Sequence, residues 1–254
     1  MEAKDFRIAG ITRLTGQLYS MKLEGSFARP PVPGQFIHIK VDNLFLRRPF
    51  SIASHKDNIF TILFKVVGEG TNLLSRAKEG DKFNVIGPLG KGFQVKKEWK
   101  NAFLAGGGTG IAPLVFLTET LLKNGVSVAF FYGARNREEI AFDVLPFGVN
   151  CIFTTEDGSY GQKGLLNAAV ETCIKKDGKP DVLFSGGPYG LLKEINRLSE
   201  KYGIPAFVSM ENRMACGTGL CYTCVTKIKT DTGWEYKRVC MEGPVFNTNK
   251  IKWE

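Results

Sequence analysis

The stretch Asn101-Ala-Phe-Leu-Ala-Gly106-Gly-Gly-Thr-Gly110-Ile-Ala-Pro113 decides the fold of the second half of this chain. The apolar run before the glycines predicts a strand over 101–105. The segment 111–123 predicts a helix with Pro113 in its first turn, where a missing N–H costs nothing. A glycine-rich turn between strand and helix presents backbone N–H groups and the positive helix end to a phosphate. The stretch predicts such a turn, although it lacks the G-x-G-x-x-G spacing of the common dinucleotide fingerprint.

Strands and helices continue to alternate after this turn. Apolar runs predict strands at 126–132, 151–155, 181–185 and 206–210, and amphipathic segments predict helices at 165–175 and 191–202. This alternation is typical of an open parallel sheet, and we expect a nucleotide-binding α/β domain over 98–210. A second glycine turn, Ser185-Gly-Gly-Pro188, ends one of its strands, at the position where open α/β sheets bind ligands.

The chain before Lys97 has a different rhythm. Short alternating or apolar runs at 35–41, 59–67 and 81–86 are broken by Gly and Pro. This pattern predicts an antiparallel β-barrel or sandwich over 1–97. Two segments within it are candidate binding elements, Arg47-Arg-Pro-Phe-Ser-Ile52 and Gly68-Glu-Gly-Thr71. Taken alone, they would be an edge strand with a solvated arginine and a common surface turn.

A cysteine-rich loop follows the α/β domain. It reads Glu211-Asn-Arg-Met-Ala-Cys-Gly-Thr-Gly-Leu-Cys-Tyr-Thr-Cys224, and one further cysteine lies in Arg238-Val-Cys240. The spacing C-x4-C-x2-C plus a distant fourth cysteine is that of a plant-type [2Fe–2S] site. Gly217 and Gly219 are the small residues that let backbone N–H groups reach cluster sulfides. The spacing predicts a cluster module over 211–254 with the ligands Cys216, Cys221, Cys224 and Cys240.

Other uses of these cysteines stay open from the residues alone. A structural zinc site also takes four thiolates, but it usually draws them from two C-x2-C pairs on separate knuckles. Disulfides are a further alternative. The remaining cysteines, Cys151 and Cys173, lie in the predicted strand and helix, and we interpret them as small core side chains.

The composition limits the classes of function. A chain of 254 residues with 43% hydrophobic residues can bury more than one core. Its net charge of +9 comes from scattered lysines without an interleaved aromatic and basic motif, so we expect no nucleic-acid partner. It has no run of 18 apolar residues and no signal pattern, so we expect no membrane segment and a cytoplasmic location.

The order of the motifs resembles that of the ferredoxin–NADP⁺ reductase superfamily. With the cysteine loop added, the whole chain resembles the iron–sulfur electron-transfer subunits of NAD-linked dihydroorotate dehydrogenases. The resemblance implies an N-terminal antiparallel FAD-binding β-barrel, an open parallel-sheet NAD(P)-binding domain and a C-terminal [2Fe–2S] loop. It implies a relay in which FAD splits the electron pair of NADH for the one-electron cluster.

The resemblance also implies roles for particular residues. Ser51 lies near flavin N5 and is the expected catalytic residue, and Arg48 contacts the diphosphate. The other implied FAD contacts are Pro49, Phe50, Lys65, Val66, Val67, Gly70 and Thr71. The implied NAD(H) contacts are Gly106, Gly107, Gly108, Thr109, Gly110, Gly186, Gly187 and Pro188. The implied partner is a catalytic FMN-containing dihydroorotate dehydrogenase subunit, in a heterotetramer of two copies of each chain.

Two other functions fit part of the sequence. The small subunit of electron-bifurcating NADH-dependent ferredoxin:NADP⁺ oxidoreductases shares this layout, as do sulfide-dehydrogenase-like subunits, but the bifurcating subunits have aspartate as the first cluster ligand where this chain has Cys216. A non-catalytic zinc or redox-sensing module is the alternative from a different class.

The resemblance favours NADH over NADPH. The residues near the adenosine ribose, Arg135, Arg137, Glu138 and Glu139, favour neither. We expect His38 and His55 to be structural.

Overall fold

The computed structural model describes residues 3–254, and this part of the chain begins with a closed antiparallel barrel of six strands. The barrel order is β1-β2-β5-β4-β3-β6, and β6 pairs with β1 to close it. Alternate residues fill its interior, including Ile37, Ile39 and Ile52. The strands are β1 (Ala3–Arg13), β2 (Leu18–Glu24), β3 (Phe36–Ile39), β4 (Arg48–Lys56), β5 (Ile59–Lys65) and β6 (Lys82–Leu89).

The second domain is a seven-stranded sheet in the order β10-β9-β8-β7-β11-β12-β15, parallel except at its last strand. Its strands are β7 (Asn101–Gly107), β8 (Ser127–Ala134), β9 (Asn150–Thr155), β10 (Gln162–Lys163), β11 (Val182–Gly186), β12 (Ala206–Ser209) and β15 (Val245–Asn247). The helices of the chain are α1 (Glu69–Ser75), α2 (Ala112–Lys123), α3 (Leu166–Asp177) and α4 (Tyr189–Tyr202). Short 3₁₀ helices lie at Gly108–Ile111, Arg137–Glu139, Phe142–Val144 and Thr248–Lys250.

The helices cover both faces of the sheet. On one face, Leu114 and Leu117 of α2 pack against the sheet and the barrel in one shared core, and Phe116 enters the barrel core. On the other face, Val170 of α3 and Ile195 of α4 pack together. Because α2 contacts both the sheet and the barrel, it fixes the position of one domain against the other.

The strand order reverses between β7 and β11, and the two glycine turns meet at this point. A Cβ atom on Gly110 would lie 2.2 Å from the backbone nitrogen of Gly187. A Cβ atom on Gly186 would lie 2.3 Å from the carbonyl oxygen of Gly110. Since these neighbours are backbone atoms, only glycine allows this approach. The turns together form the crevice at which open α/β sheets bind ligands.

The C-terminal segment does not stand apart from the rest. Strands β13 (Val225–Thr230) and β14 (Gly233–Arg238) form a hairpin, and β15 adds to the sheet antiparallel to β12. The backbone N–H of Lys91, just after the barrel, donates to the carbonyl of Gly243 at 2.5 Å. The segment is thus tied to both domains.

The predicted fold class is confirmed, with two differences in detail. The segment 68–71 is not a surface turn, because Gly68 caps α1 and Thr71 is buried in it. The antiparallel strand β15 was not predicted, because its three residues give no pattern of their own. Within residues 3–254, no helix has the length and apolarity needed to cross a membrane.

Candidate functional site

A cavity of about 430 Å³ opens where the barrel, α2 and the C-terminal segment meet. This volume lies in the range of small-molecule and cofactor sites. Predicted residues make up much of the barrel side of its wall: Arg48, Pro49, Phe50, Ser51, Lys65, Val67 and Thr71. Its other lining residues are Phe36, Leu63, Phe64, Thr109, Ala112, Ser209, Met210, Glu211, Asn212, Met214 and Pro244.

The polar end of the cavity is built around Arg48. Its guanidinium donates to the carbonyl of Leu46, and a Cβ atom on Gly70 would lie 2.7 Å from its Nε. Gly70 therefore leaves room for the arginine instead of lining the cavity. Thr71 fixes the adjoining turn, since its Oγ1 accepts the N–H of Val67 at 2.9 Å and donates to the carbonyl of Gly68 at 3.0 Å. A guanidinium beside a fixed turn suits a phosphate group.

The remaining predicted FAD contact of the barrel, Val66, does not line the cavity. Val66 packs against the barrel core, and its N–H donates to the carbonyl of Gln17 at 2.9 Å. The donors and apolar rings that do line the cavity fit a flavin dinucleotide, because they combine a cation, hydroxyls and flat apolar walls.

A second cavity of about 290 Å³ lies beside the first, at the carboxyl ends of β7 and β8. Lys65 and Thr109 line both cavities, so the two adjoin. Gly108, with φ of +55°, is the predicted glycine that lines the second cavity. The remaining predicted residues of the two turns do not line either cavity, and several of them approach one another across the turns: Gly106, Gly107, Gly110, Gly186, Gly187 and Pro188.

Three of the charged side chains that line the second cavity interact with one another. Glu139 accepts from Nε of Arg135 at 3.0 Å and lies 3.4 Å from Nζ of Lys65. The hydrogen bond from Arg135, helped by the charge of Lys65, lowers the pKa of Glu139 to about 2. The guanidinium of Arg137 instead lies over the ring of Tyr160, 5.9 Å from its centroid. The carboxylate of Glu139 thus neutralises the arginine nearest the cavity.

The four predicted ligand cysteines converge at the C-terminal loop. The backbone N–H of Thr218 donates to Sγ of Cys216, and that of Cys240 donates to Sγ of Cys224, both at 3.4 Å. Gly217 and Gly219 have φ of +67° and +86°, which the tight loop requires. Backbone donors aimed at sulfur are typical of iron–sulfur sites.

The four thiols associate as two pairs, Cys216 with Cys221 and Cys224 with Cys240. Among residues 3–254, no three His, Cys, Asp or Glu side chains form a group suited to a single metal ion. Two pairs match a dinuclear cluster, in which each iron takes two thiolates, better than one tetrahedral zinc ion. The donor set therefore fits a [2Fe–2S] cluster.

The environments of these thiols differ. Burial opposes ionisation of Cys216, but hydrogen bonds from Thr218 and Cys221 outweigh it and lower the pKa of the thiol to about 6. Burial, together with Cys224, raises the pKa of Cys240 to about 12. Metal ligation deprotonates a thiol, so Cys240 would be a thiolate only when it binds iron.

The cavity and the cysteine loop share a wall. Phe36, Met210 and Met214 line the cavity and also pack in the core that contains Cys224 and Cys240. The loop is braced from outside by Arg238, which donates to the carbonyl of Gly219 at 2.7 Å and to Glu242. The cavity and the cysteine core thus share the side chains of Phe36, Met210 and Met214.

Sequence reasoning missed several residues of this wall. Glu211 lines the cavity with a solvent-accessible side chain, and the surrounding protein raises the pKa of its carboxyl. A signal was present, because 210–212 follows the carboxyl end of a strand next to the switch point. Phe36 gave no such signal, since it lies in an ordinary apolar strand.

Comparison with known proteins agrees with this geometry. Residues 211–252 match the model of the iron-sulfur cluster binding domain of dihydroorotate dehydrogenase B. The chain is 38% identical over 246 residues to the electron transfer subunit of dihydroorotate dehydrogenase B (NAD(+)) of Caldanaerobacter subterraneus subsp. tengcongensis, covering 96% of each chain. It is 35% identical to the subunit of the same name of Desulforamulus reducens, covering 98% of each.

Solved structures show the same architecture. The structure of an NADH-dependent reduced ferredoxin-NADP oxidoreductase, described in relation to flavin-based electron bifurcation, superposes with a TM-score of 0.88 at 28% identity, covering 98% of this chain and 90% of that one. The ferredoxin reductase of carbazole 1,9a-dioxygenase superposes with a TM-score of 0.71 at 20% identity, covering 80% and 67%. The second likeness concerns the fold alone.

Barrel, doubly wound sheet and cysteine loop together define an oxidoreductase of the ferredoxin reductase type that carries an iron–sulfur module. The predicted cofactors of this class, FAD, a [2Fe–2S] cluster and NAD(H), agree with the match to the cluster-binding domain and with the fold. The chain belongs to the family of electron transfer subunits of NAD(+)-dependent dihydroorotate dehydrogenase B.

Proposed function

We propose that this chain passes electrons between NAD(H) and a catalytic partner flavoprotein, and that the pair oxidises dihydroorotate to orotate in pyrimidine biosynthesis. The observation that carries the proposal is the shared wall of Phe36, Met210 and Met214 between the cavity and the cysteine core. A cofactor in the cavity and a cluster in the loop would lie within a few side chains of each other. That arrangement suits electron transfer and has no use in a zinc module.

The cavities are assigned to the two nucleotide cofactors. FAD would occupy the larger cavity, with its diphosphate at Arg48 and its reactive ring edge near Ser51. NAD(H) would enter through the second cavity, which adjoins the first at Lys65 and Thr109. FAD bound there would supply the exchange between the two-electron chemistry of NAD(H) and the one-electron chemistry of the cluster.

Each residue then has a limited task. Arg48 neutralises phosphate charge, and the Ser51 hydroxyl offers a hydrogen bond to the reacting part of the ring. Apolar neighbours such as Phe50 and Leu63 exclude water from it. Cys216, Cys221, Cys224 and Cys240 hold the cluster, and Arg238 keeps their loop closed.

The partner would bind at the outer side of the cysteine loop. Cys221 is exposed there, and it is flanked by apolar side chains that are also exposed, Leu220 at 84% and Tyr222 at 59%. Exposed neighbouring apolar residues mark interaction sites in soluble proteins. We propose a catalytic FMN-containing subunit on this surface, two copies of each chain in the complex, and a cytoplasmic location.

Spectroscopy and reconstitution test this function. The anaerobically purified chain should show flavin bands and a broad iron–sulfur absorption, and NADH should bleach both. With the partner subunit added, dihydroorotate should reduce NAD⁺. A colourless, zinc-containing preparation would refute the proposal, and so would a coloured protein that NADH leaves oxidised.

A second candidate function is that of the small subunit of a bifurcating complex. The TM-score of 0.88 with the NADH-dependent ferredoxin-NADP oxidoreductase favours it. Cys216 in the first ligand position and identities of 35% to 38% with full-length relatives favour the function in dihydroorotate oxidation. Purification with its native partner separates the two, because the partner either oxidises dihydroorotate or binds ferredoxin.

A further inference from the structure

His38 is a buried side chain without a hydrogen-bond partner at the junction of barrel and cysteine loop. It is 0% exposed, and neither Nδ1 nor Nε2 has a partner. Buried polar atoms are nearly always paired, because an unpaired buried donor loses its hydrogen bonds to water without replacement. Such a ring needs an acceptor, and the described protein atoms supply none within hydrogen-bond distance.

The ring lies against the cysteine loop. Ile37 and Ile39 point into the barrel core, so Phe36 and His38 occupy the outer face of β3. A Cβ atom on Gly217 would lie 2.3 Å from Cε1, 2.6 Å from Nε2 and 2.7 Å from Nδ1 of His38. The imidazole thus packs flush against the backbone next to Cys216, and it does not line the cavity assigned to FAD.

The imidazole has one hydrogen-bond donor to offer. Burial, with the nearby charge of Arg47, lowers the pKa of His38 to about 4, so the neutral ring carries a single N–H. Arg47 itself is engaged elsewhere, because it donates to the carbonyl of Asn84 at 2.9 Å and to its Oδ1 at 2.6 Å. A sulfur atom of a cluster held by the loop would be an acceptor within the same buried region.

We propose that His38 donates its ring N–H to a sulfur atom of the [2Fe–2S] cluster, a bridging sulfide or a ligand thiolate, and thereby raises the reduction potential of the cluster. The inference rests on the proposed ligation of the cluster by the four cysteines. The reduced cluster carries one more negative charge than the oxidised cluster, and a hydrogen bond to a more negative acceptor is stronger. Hydrogen bonds to the sulfurs are among the factors that set cluster potentials.

A redox titration monitored by EPR tests the effect on the reduction potential of the cluster, using the whole chain with FAD bound. His38→Phe fills the space without a donor, His38→Gln restores a donor, and His55→Gln is the matched control, because His55 is the only other histidine. We expect His38→Phe to shift the reduction equilibrium about tenfold towards the oxidised cluster, which for one electron is about 59 mV. His38→Gln should recover part of the shift, and His55→Gln should leave the potential unchanged.

A second measurement does not depend on His38→Phe and covers the case in which that variant fails to fold. Wild-type protein carrying ring-¹⁵N-histidine is reduced, and pulsed EPR is used to look for ¹⁵N coupling to the cluster. Coupling that persists in His55→Gln supports the proposal. No histidine coupling in the wild type, or a reduction equilibrium of the cluster in His38→Phe within twofold of wild type, overturns it. A chain that binds no cluster would instead refute the proposed function.

Discussion

Replacing Gly110 by alanine should destabilise the nucleotide-binding domain, because the added methyl group has no space. Its Cβ would lie 2.2 Å from the backbone nitrogen of Gly187 and 2.3 Å from the carbonyl carbon of Gly186. Ordinary contacts between heavy atoms are about 3.5 Å or longer, so the two turns must separate by about 1 Å or more. Both neighbours are backbone atoms, and no rotamer change can relieve the overlap.

The size of the effect follows from this geometry. Overpacking a rigid site costs roughly 1 to 3 kcal/mol, and a contact between two backbones belongs at the upper end of this range. For a chain of this length, each kcal/mol lowers the melting temperature by about 2 to 4 °C. We therefore expect Gly110→Ala to melt about 6 to 12 °C below the wild type.

Calorimetry of the FAD-loaded protein measures the change, and Gly190→Ala is the matched control. A Cβ atom on Gly190 meets nothing within 4 Å, and Gly190 lies in α4, where alanine is the better helix former. The control should melt at or slightly above the wild-type temperature. If Gly110→Ala has the same melting temperature as the control, the close contact of the two turns is not a structural requirement. Backbone crowding then does not explain their glycines.

Three further predictions concern the cofactors. Cys221→Ser should remove the [2Fe–2S] EPR signal of the reduced protein while FAD stays bound, because Cys221 does not line the flavin cavity. A normal signal would refute the ligand assignment. Ser51→Ala should slow flavin reduction by NADH in stopped-flow more than it weakens FAD binding, since a lost preorganised hydrogen bond is worth roughly 1 to 3 kcal/mol, and an unchanged rate would contradict it. NADH should be preferred to NADPH. Glu139→Gln should shift the ratio of the two kcat/KM values towards NADPH by freeing Arg135, whereas Arg135→Gln should not. Equal ratios in both variants would exclude the pair of Arg135 and Glu139 as the determinant of this preference.

The α/β domain could be predicted closely because its elements are long and periodic. The predicted helix 111–123 is α2 (Ala112–Lys123), and the predicted strand 181–185 is β11 (Val182–Gly186). The predicted turn at 68–71 failed for a local reason. Two glycines are typical of a turn, but the segment belongs to the start of α1, a helix whose Leu74 is fully buried.

The reasons for the glycines could not be predicted from the sequence. Glycines between a strand and a helix indicate a turn that binds phosphate, but this pattern does not show which other segment the glycines contact. Only the folded sheet brings residues 110 and 187 into contact, and this contact alone requires glycine at Gly110. Likewise, His38 looks like an ordinary strand residue until β3 is packed against the cysteine loop.

The position of the cysteine loop also depends on long-range strand pairing, and it limits the route of electrons through the chain. The loop segment is fixed to the sheet by β15 and to the barrel by the hydrogen bond from Lys91 to Gly243. Its last residues return to the hairpin through the bridge between Ile228 and Ile251. A segment held at several points cannot swing between the flavin cavity and a partner. In the proposed function, electrons would therefore pass between the flavin cavity and the partner through a cluster held in a fixed place, and we propose that the partner binds on the side of the exposed Cys221.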